Sequence, residues 1–584
     1  MRPSLSALAL FCLATCTIAV EDLPQDAGSP DSSISLPDAE NPRPDAAGPP
    51  DAQPQGKDAA TVAEDVGAIQ LDAGVAADAS LPVPDASTPP DAGAPPDAGT
   101  VDGGSGTTFY LSLQGSDSNS CAAAKSPGTA KATFSAAWQC LNAGDTLIIA
   151  DGTYQQNLSP PTLKSGTSAA PITARAEHDG LVMVDGEGVR ETLVLRGSAH
   201  LVFEGLTLGN GASGSLSIGS STGKTGGVSA HHNEFRRMGV FGWKGLSGNL
   251  VTVGIGGGAH HNLLEDMWVW GRGRYSVMIY GGAGGGDVLD APFNTVRRVV
   301  VRHDPYPGGS GDPQAGLAVY SANHNTIENV IIFDSIEDGP SDNSVFYLTG
   351  HAPDTVNGNS VLGCIALAST GGALVMDADT SRSNRFENTV SWGNTGGGMS
   401  LIKDAQSNTY DAMTLDNQKS LDGTGFYNAG ASTTLRNSLV MHASAYGVKN
   451  VGSLTATSNY FYGNQSSDCE GCTLDASNDL THRDPGLRFI LRQEATSPLK
   501  GTGAGGADRG ATVLYRYQNG TISTEKLWPW PNESRLRLEM CDPSALADFG
   551  RTGPNASPFC ASGKSLTQYI WEAAGNPMPS SLYP

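Results

Sequence analysis

His231-His232-Asn233-Glu234-Phe235 opens a series of segments in which an asparagine is followed by any residue and then by an apolar one. The asparagines of the series are Asn233, Asn262, Asn294, Asn325, Asn359, Asn384 and Asn408. Their spacing is 24 to 34 residues. A repeat of this length is typical of stacked architectures, in which each period forms one structural unit. The repeat therefore predicts that residues far apart in the chain lie above one another.

Residues 1–20 have the pattern of an export signal. Arg2 is followed by an apolar run, residues 4–20, which is too short to cross a membrane. Residues 13–16, Leu-Ala-Thr-Cys, resemble a bacterial lipobox, which predicts lipidation of Cys16 and attachment to the outer membrane or cell surface. Cleavage near Ala19, which gives a freely secreted protein, is the alternative.

Residues 21–106 are rich in proline, aspartate, alanine and glycine and contain almost no large apolar side chains. Such a segment cannot bury enough surface to offset its ordering entropy, so we expect a disordered linker. It holds 17 acidic residues against two basic ones, and this −15 is most of the net charge of −24. The acidity of the chain is therefore a property of the linker, and no basic region points to nucleic acid.

The nine cysteines fit an exported protein. Proximity in the sequence predicts three disulfides, which pair Cys121 with Cys140, Cys469 with Cys472, and Cys541 with Cys560. Cys364, within an apolar run, is expected to be a buried strand residue.

The body of the chain alternates short apolar strands, such as residues 201–206 and 276–280, with glycine and asparagine turns. No helical period is found from about residue 181 to 462. The exception comes early, where residues 133–142 place Phe134, Ala137, Trp138 and Leu141 on one helical face before the apolar run 145–154.

This run closely resembles the beginning of right-handed parallel β-helix proteins of the pectate-lyase-like superfamily. The resemblance implies one all-β solenoid over residues 107–511, with a helix capping its first coil and the asparagines stacked as an internal ladder. Residues 512–584 are aromatic and are expected to form a C-terminal cap, packed on the last coil or back along a side of the solenoid.

The resemblance also implies a monomer that binds an extracellular, acidic polysaccharide, with β-elimination as the leading chemistry. That reaction needs a cation or Ca²⁺ at the uronate carboxylate, a base and an acid. If the coils are aligned on the repeated asparagines, the residues about ten positions after each asparagine should lie on one face of the solenoid. The proposed catalytic group there is Arg272, Arg274, Arg302, His303, Tyr275 and Lys244. The proposed sugar-stacking group is Trp243, Trp268, Trp270 and Tyr306, and the proposed Ca²⁺ ligands are Asp304, Glu337 and Asp338.

Three alternatives stay open. The first is that Arg302, His303 and Asp304 form a structural ion-pair cluster at a turn. The second is a glycoside hydrolase that uses paired carboxylates. The candidate residues for this hydrolase come just after a second predicted stack, formed by Tyr280, Tyr320, Tyr347, Met376 and Ile402. The stack itself is interpreted as core or aromatic packing. The candidate residues are His351, Asp377, Asp379, Lys403 and Asp404. The third is a non-catalytic glycan-binding adhesin, because the catalytic motifs of known lyase families are not intact.

Overall fold

The structure, a computed structural model, describes most of the chain beyond the linker. The described residues are 106–222, 226–246, 248–282, 289–306, 313–336, 344–350, 355–378, 381–394, 400–401, 406–416, 423–553 and 556–582, with backbone alone at 377, 378, 400 and 401. The signal segment with Cys16 and the linker lie outside this set. Within it, no helix is long and apolar enough to cross a membrane.

Three long parallel sheets build the molecule. Sheet A has 15 strands: Thr108–Leu111, Thr146–Ile149, Ile172–Ala176, Leu201–Glu204, Glu234–Arg236, Leu263–Glu265, Thr295–Arg297, Thr326–Glu328, Val356–Asn357, Ser360–Leu362, Ser381–Arg382, Arg385–Glu387, Gln406–Asp411, Ser432–Arg436 and Leu454–Thr457. Sheet B has 12 strands: Gly152–Tyr154, Val182–Asp185, Thr207–Gly209, Gly239–Phe241, Trp268–Gly271, Val300–His303, Ile331–Phe333, Ile365–Leu367, Val390–Trp392, Thr414–Asp416, Leu439–Met441 and Tyr460–Tyr462. Sheet C has eight strands: Leu193–Arg196, Leu216–Gly219, Val253–Gly256, Tyr275–Tyr280, Ala315–Tyr320, Ser344–Gly350, Gly372–Ala378 and Ser400–Leu401. A fourth parallel sheet holds Thr424–Asn428, Tyr446–Asn450 and Ser467–Glu470.

The chain runs through sheets A, B and C in turn and then returns to sheet A one layer further on, so the predicted parallel β-helix is confirmed. Alternate side chains of each strand point inward and stack on their register partners. Phe203 and Phe235, for example, are partners in sheet A whose rings stack with centroids 5.4 Å apart. The apolar core is therefore a set of columns inside the solenoid.

Helix α1, Phe134–Cys140, covers the first coil as expected. Thr133 caps it by accepting a hydrogen bond from the backbone N–H of Ala136. Trp138 is fully buried with its ring edge-on to Phe203, which closes the otherwise open end of the core.

The repeated asparagines form the predicted internal ladder. Nδ2 of Asn233 donates to Oδ1 of Asn262 at 2.9 Å, and Nδ2 of Asn262 donates to Oδ1 of Asn294 at 3.0 Å. The pattern continues from Asn384 to Asn408 at 3.2 Å. All seven asparagines are buried. At Asn325 the link to the next asparagine is made by the backbone N–H, which donates to Oδ1 of Asn359 at 2.8 Å, while Nδ2 of Asn325 donates to the carbonyl of Asn323.

The C-terminal segment, residues 512–582, lies back along the outer face of sheet B, which is the second of the two predicted positions. It begins with an antiparallel hairpin of Tyr515–Gln518 and Thr521–Lys526. Four helices follow: α2, Glu533–Met540; α3, Pro543–Asp548; α4, Pro558–Ser562; and α5, Leu566–Trp571. The three predicted disulfides are present and Cys364 is buried with a free thiol, as expected.

Candidate functional site

The structure places the predicted site residues on the outer face of sheet B, in the connections between sheets B and C, and at the margin of sheet C. The outer face of sheet B comes first. Trp268 and Trp270 point outward from their strand but are buried beneath the C-terminal segment. The indole nitrogen of Trp268 donates to Glu539 of α2 at 2.9 Å, and the Arg535 guanidinium lies 4.7 Å from the centre of its ring. The expectation that these tryptophans stack on sugar rings is therefore wrong, because protein already covers their faces.

Arg302 and Asp304 lie beneath the same segment and are fully buried. Arg302 donates to Asp304 at 2.7 Å and to the carbonyl of Met540 at 2.6 Å. Arg551 completes the network by donating to Asp304 at 2.5 Å and to the carbonyls of Asp334 and His303. Burial alone would raise the pKa of Asp304, but the two guanidinium groups lower it, so the carboxyl is an anion. The ion-pair alternative is the correct one for Arg302 and Asp304.

His303 is also fully buried, and its Nε2 lies 2.6 Å from the carbonyl oxygen of Gly273. Burial lowers its pKa and favours the neutral imidazole. Its position inside the protein prevents contact with a polymer, so its predicted role as the base is wrong.

Lys244, Arg272 and Tyr306 hold connections between sheets B and C. Exposed Lys244 pairs with Asp548 of α3 at 3.0 Å. Arg272 donates to the carbonyl of Pro305 at 2.8 Å and also to that of Lys244. The Tyr306 hydroxyl donates to the carbonyl of Gly248, and its ring is buried. These contacts are structural, and half-buried Trp243 lies in the same connection as Lys244.

The predicted calcium ligands do not form a site among the described residues. Both carboxylate oxygens of Asp304 accept hydrogen bonds from arginine, so this side chain does not fit a Ca²⁺ ion. Glu337 and Asp338 lie outside the described residues.

Arg274 and Tyr275 lie at the margin of sheet C, where the strand Tyr275–Tyr280 begins. Arg274 donates to the carbonyl of Pro313 at 3.0 Å and to the side-chain oxygen of Asn249 at 2.5 Å. Its guanidinium carbon lies 5.2 Å from the centre of the Tyr275 ring. A cation is thus fixed over an aromatic ring at the margin of sheet C. Arg274 is 8% exposed and Tyr275 is 2% exposed, so the tyrosine ring is not accessible to a polymer.

Sheet C carries a line of tyrosines on its outer face. Register partners in neighbouring strands place Tyr280 beside Tyr320, with ring centroids 5.5 Å apart. Met278, Ala318 and Tyr347 form the adjacent line. Tyr280 is half-buried, whereas Tyr320 and Tyr347 are 7% and 3% exposed. The apolar ring faces are therefore accessible mainly at Tyr280.

The second stack of the sequence analysis is confirmed only in part, because Tyr280 and Tyr320 are register partners whereas Tyr347 lies beside Ala318 in the adjacent line. Met376 of that stack lies in the interior core, which agrees with the interpretation of the stack as core packing. Asp377 is the register partner of Thr349 in sheet C. Ile402, His351, Asp379, Lys403 and Asp404 lie outside the described residues. The paired-carboxylate hypothesis thus stays a prediction.

Long connections enter and leave the strands of sheet C. Those that follow Phe241, His303 and Phe333 lead from sheet B, and those that follow Gly219 and Tyr280 lead on to sheet A. Each spans 10 to 14 positions of the sequence, and part of each lies outside the described residues. Long connections between regular elements are where binding residues concentrate, which makes sheet C the candidate polymer-binding face.

Comparisons with known proteins find one family model that matches part of the chain. Residues 129–276 match the family model Chondroitinase B, from just before α1 to the first residues of the strand that carries Tyr275. The chain thus resembles parallel β-helix polysaccharide lyases over this part of its length. No curated protein sequence matches it.

Several solved structures are similar to the chain at low sequence identity. A pectate lyase, Pel9A, is 14% identical, with 69% of this chain and 95% of that chain covered and a TM-score of 0.37. A rhamnogalacturonan lyase is 14% identical, with 74% and 98% covered and a TM-score of 0.37. XylC, determined with xylose, is 9% identical, with 65% and 87% covered and a TM-score of 0.41.

Proposed function

We propose that this protein is an exported polysaccharide lyase that binds a uronic-acid polymer across sheet C and cleaves it by β-elimination. The observation that carries the proposal is the position of Arg274 and Tyr275. They lie at the margin of the tyrosine face and within the stretch that matches the Chondroitinase B family model. Export, by lipid anchor or free secretion, rests on residues 1–20 and is part of the proposal.

In this proposal the tyrosines supply the sugar platform. The ring of Tyr280 is the accessible one and rests against the ring of Tyr320 in the next coil, so a sugar ring could pack on Tyr280 while Tyr320 supports it from below. Strands of neighbouring coils are about 4.8 Å apart, so one sugar residue spans roughly one coil.

Arg274 supplies the positive charge. A uronate carboxylate must be neutralised before the proton on the adjacent carbon becomes acidic enough to leave, and a guanidinium group binds a carboxylate in a fixed geometry. Arg274 is held by Pro313 and Asn249, so little further ordering is needed when substrate binds. Tyr275 contacts this guanidinium but is 2% exposed, so, like His303, it cannot reach a polymer and is not assigned the proton transfer.

The full chain should be assayed with chondroitin sulfate, dermatan sulfate, alginate and polygalacturonate, with and without Ca²⁺. Ultraviolet absorbance of unsaturated products reports cleavage, and affinity electrophoresis reports binding. Tyr280→Ala should weaken binding about two- to twelvefold, since an aromatic contact contributes about 0.5–1.5 kcal/mol. Arg274→Lys should lower the rate more than the affinity. Tyr110→Ala, a half-buried tyrosine of sheet A, is the matched control.

A non-catalytic glycan-binding protein is the second candidate. The burial of Arg302 and His303 favours it, because two of the predicted catalytic residues cannot reach a substrate. Binding that depends on Tyr280, with no unsaturated product from any polymer, would support this function and contradict the lyase.

A further inference from the structure

Two histidine pairs project from the turn that leads into sheet A. His231 and His232 precede Asn233, and His260 and His261 precede Asn262 one coil further on. His231 and His260 are bridge partners, and so are Ala199 and His231. The asparagine ladder therefore fixes the register of the histidines as well.

The imidazole rings form two columns. The outer column runs from His200 through His232 and His261 to Phe293 and His324, with neighbouring ring centroids 4.9 to 5.3 Å apart. In the inner column, His231 stacks on His260 at 5.1 Å with an angle of 3° between the rings. Stacking explains the outer column by itself, since Phe293 occupies one position without any nitrogen.

Ring stacking does not explain the short distances between nitrogen atoms of the two columns. The Nδ1 atoms of His231 and His232 are 2.9 Å apart, and those of His260 and His261 are also 2.9 Å apart. His200 adds a third ring, so that His200, His231 and His232 each present a nitrogen, all within 4.8 Å of one another. Three converging imidazole nitrogens are the donor set of a tetrahedral metal centre, in which nitrogens bound at about 2.0–2.1 Å lie roughly 3.3 Å apart.

We propose that His200, His231 and His232 bind one divalent transition-metal ion, for which Zn²⁺ is the best fit. Imidazole ligands suit zinc, copper and nickel, whereas Ca²⁺ and Mg²⁺ prefer oxygen. His232 is exposed and the other two rings are half-buried, so solvent can supply a fourth ligand. This site shares no residue with the tyrosine face and does not depend on the proposed lyase activity.

Zinc binding to the chelator-treated full chain, measured by isothermal titration calorimetry, tests the proposal. We expect one ion per chain, insensitivity to excess Ca²⁺, and nitrogen hyperfine structure in the electron paramagnetic resonance spectrum when Cu²⁺ replaces Zn²⁺. His232→Asn should weaken zinc binding at least about tenfold, since even outer-shell partners of a metal contribute 10- to 100-fold. Asparagine suits this position, where φ is 53°, because it tolerates left-handed backbone.

His482→Asn is the matched control, because this exposed histidine pairs with Asp468 far from the cluster in sequence. It should bind zinc like the unaltered chain. Circular dichroism and the unfolding midpoint without metal should be unchanged in His232→Asn, which separates loss of a ligand from loss of fold. No saturable binding, equal binding by His232→Asn, or loss of binding in His261→Asn but not in His200→Asn would overturn the assignment.

Discussion

Replacing Asp304 by asparagine removes one negative charge from the interface between sheet B and the C-terminal segment and leaves the packing volume almost unchanged. Asp304 accepts hydrogen bonds from Arg302 at 2.7 and 2.9 Å, from Arg551 at 2.5 Å and from the backbone N–H of Gly271 at 2.9 Å. The side chains of both arginines are completely buried. Asp304→Asn therefore leaves two guanidinium groups without their shared anion.

Asp334, a second acid beside Arg551, cannot take over this role. Asp334 already accepts hydrogen bonds from Ser557, Tyr569 and the backbone of Phe559, and burial raises its pKa. Removing one partner of a buried ion pair costs about 3–5 kcal/mol, because the remaining charge has neither water nor a counterion. We expect a destabilisation of that size, concentrated where the C-terminal segment docks.

Intrinsic fluorescence during guanidinium unfolding measures the effect. Five of the eight tryptophans, Trp268, Trp270, Trp528, Trp530 and Trp571, are buried in this interface and report its separation. Limited proteolysis should release the C-terminal segment of Asp304→Asn at lower denaturant concentration.

The matched control is Asp411→Asn. Asp411 pairs with Arg436, whose side chain is 50% exposed, and such a pair contributes about 0–1 kcal/mol. Equal unfolding midpoints for the two variants would refute the reasoning that the buried network holds the segment in place.

Three further predictions concern other parts of the fold. Asn294→Ala should cost about 1–3 kcal/mol in unfolding free energy, because the buried amide of Asn262 loses its acceptor, and urea unfolding should show it. Burial alone would raise the pKa of Glu265, but three arginines lower it, so this carboxylate stabilises the fold above its unfolded-state pKa and the effect is lost as pH falls through the lower folded-state value. The difference in thermal midpoint between the unaltered chain and Glu265→Gln should accordingly be largest near pH 6 and shrink below about pH 4. Replacing Cys541 and Cys560 by serine should cost about 2–4 kcal/mol and speed proteolysis between α2 and α4.

The fold could be predicted from the sequence because its internal ladder demands one residue type. An amide both donates and accepts in one plane, so an asparagine in each coil bonds to the asparagine of the next, as Asn233 does with Asn262. Each coil that extends the ladder must supply it, which leaves a period in the sequence. The capping helix was predictable for a similar reason, since Trp138 and its neighbours share one helical face.

The candidate site was predicted less well, because sequence periodicity aligns residues but does not show what covers them. Asp304 and Arg551 are 247 residues apart, and the C-terminal segment carries no repeat that would place it over sheet B. The second predicted stack, taken from the apolar strands, does place Tyr280 beside Tyr320. The histidine pairs were visible as part of the repeat, but their convergence depends on side-chain positions that spacing alone does not give.

The lateral position of the C-terminal segment determines the order of assembly. A solenoid coil normally contacts only its neighbours, so coils can form and be lost one at a time from either end. Here Glu539 contacts Thr207 of an early coil, and Ala511, just before the segment, bonds to Thr414 of a late one. The coils between them are therefore joined into one cooperative unit. Because residues 512–582 are synthesised after the strands of sheet B, the apolar outer face of that sheet stays uncovered until they emerge.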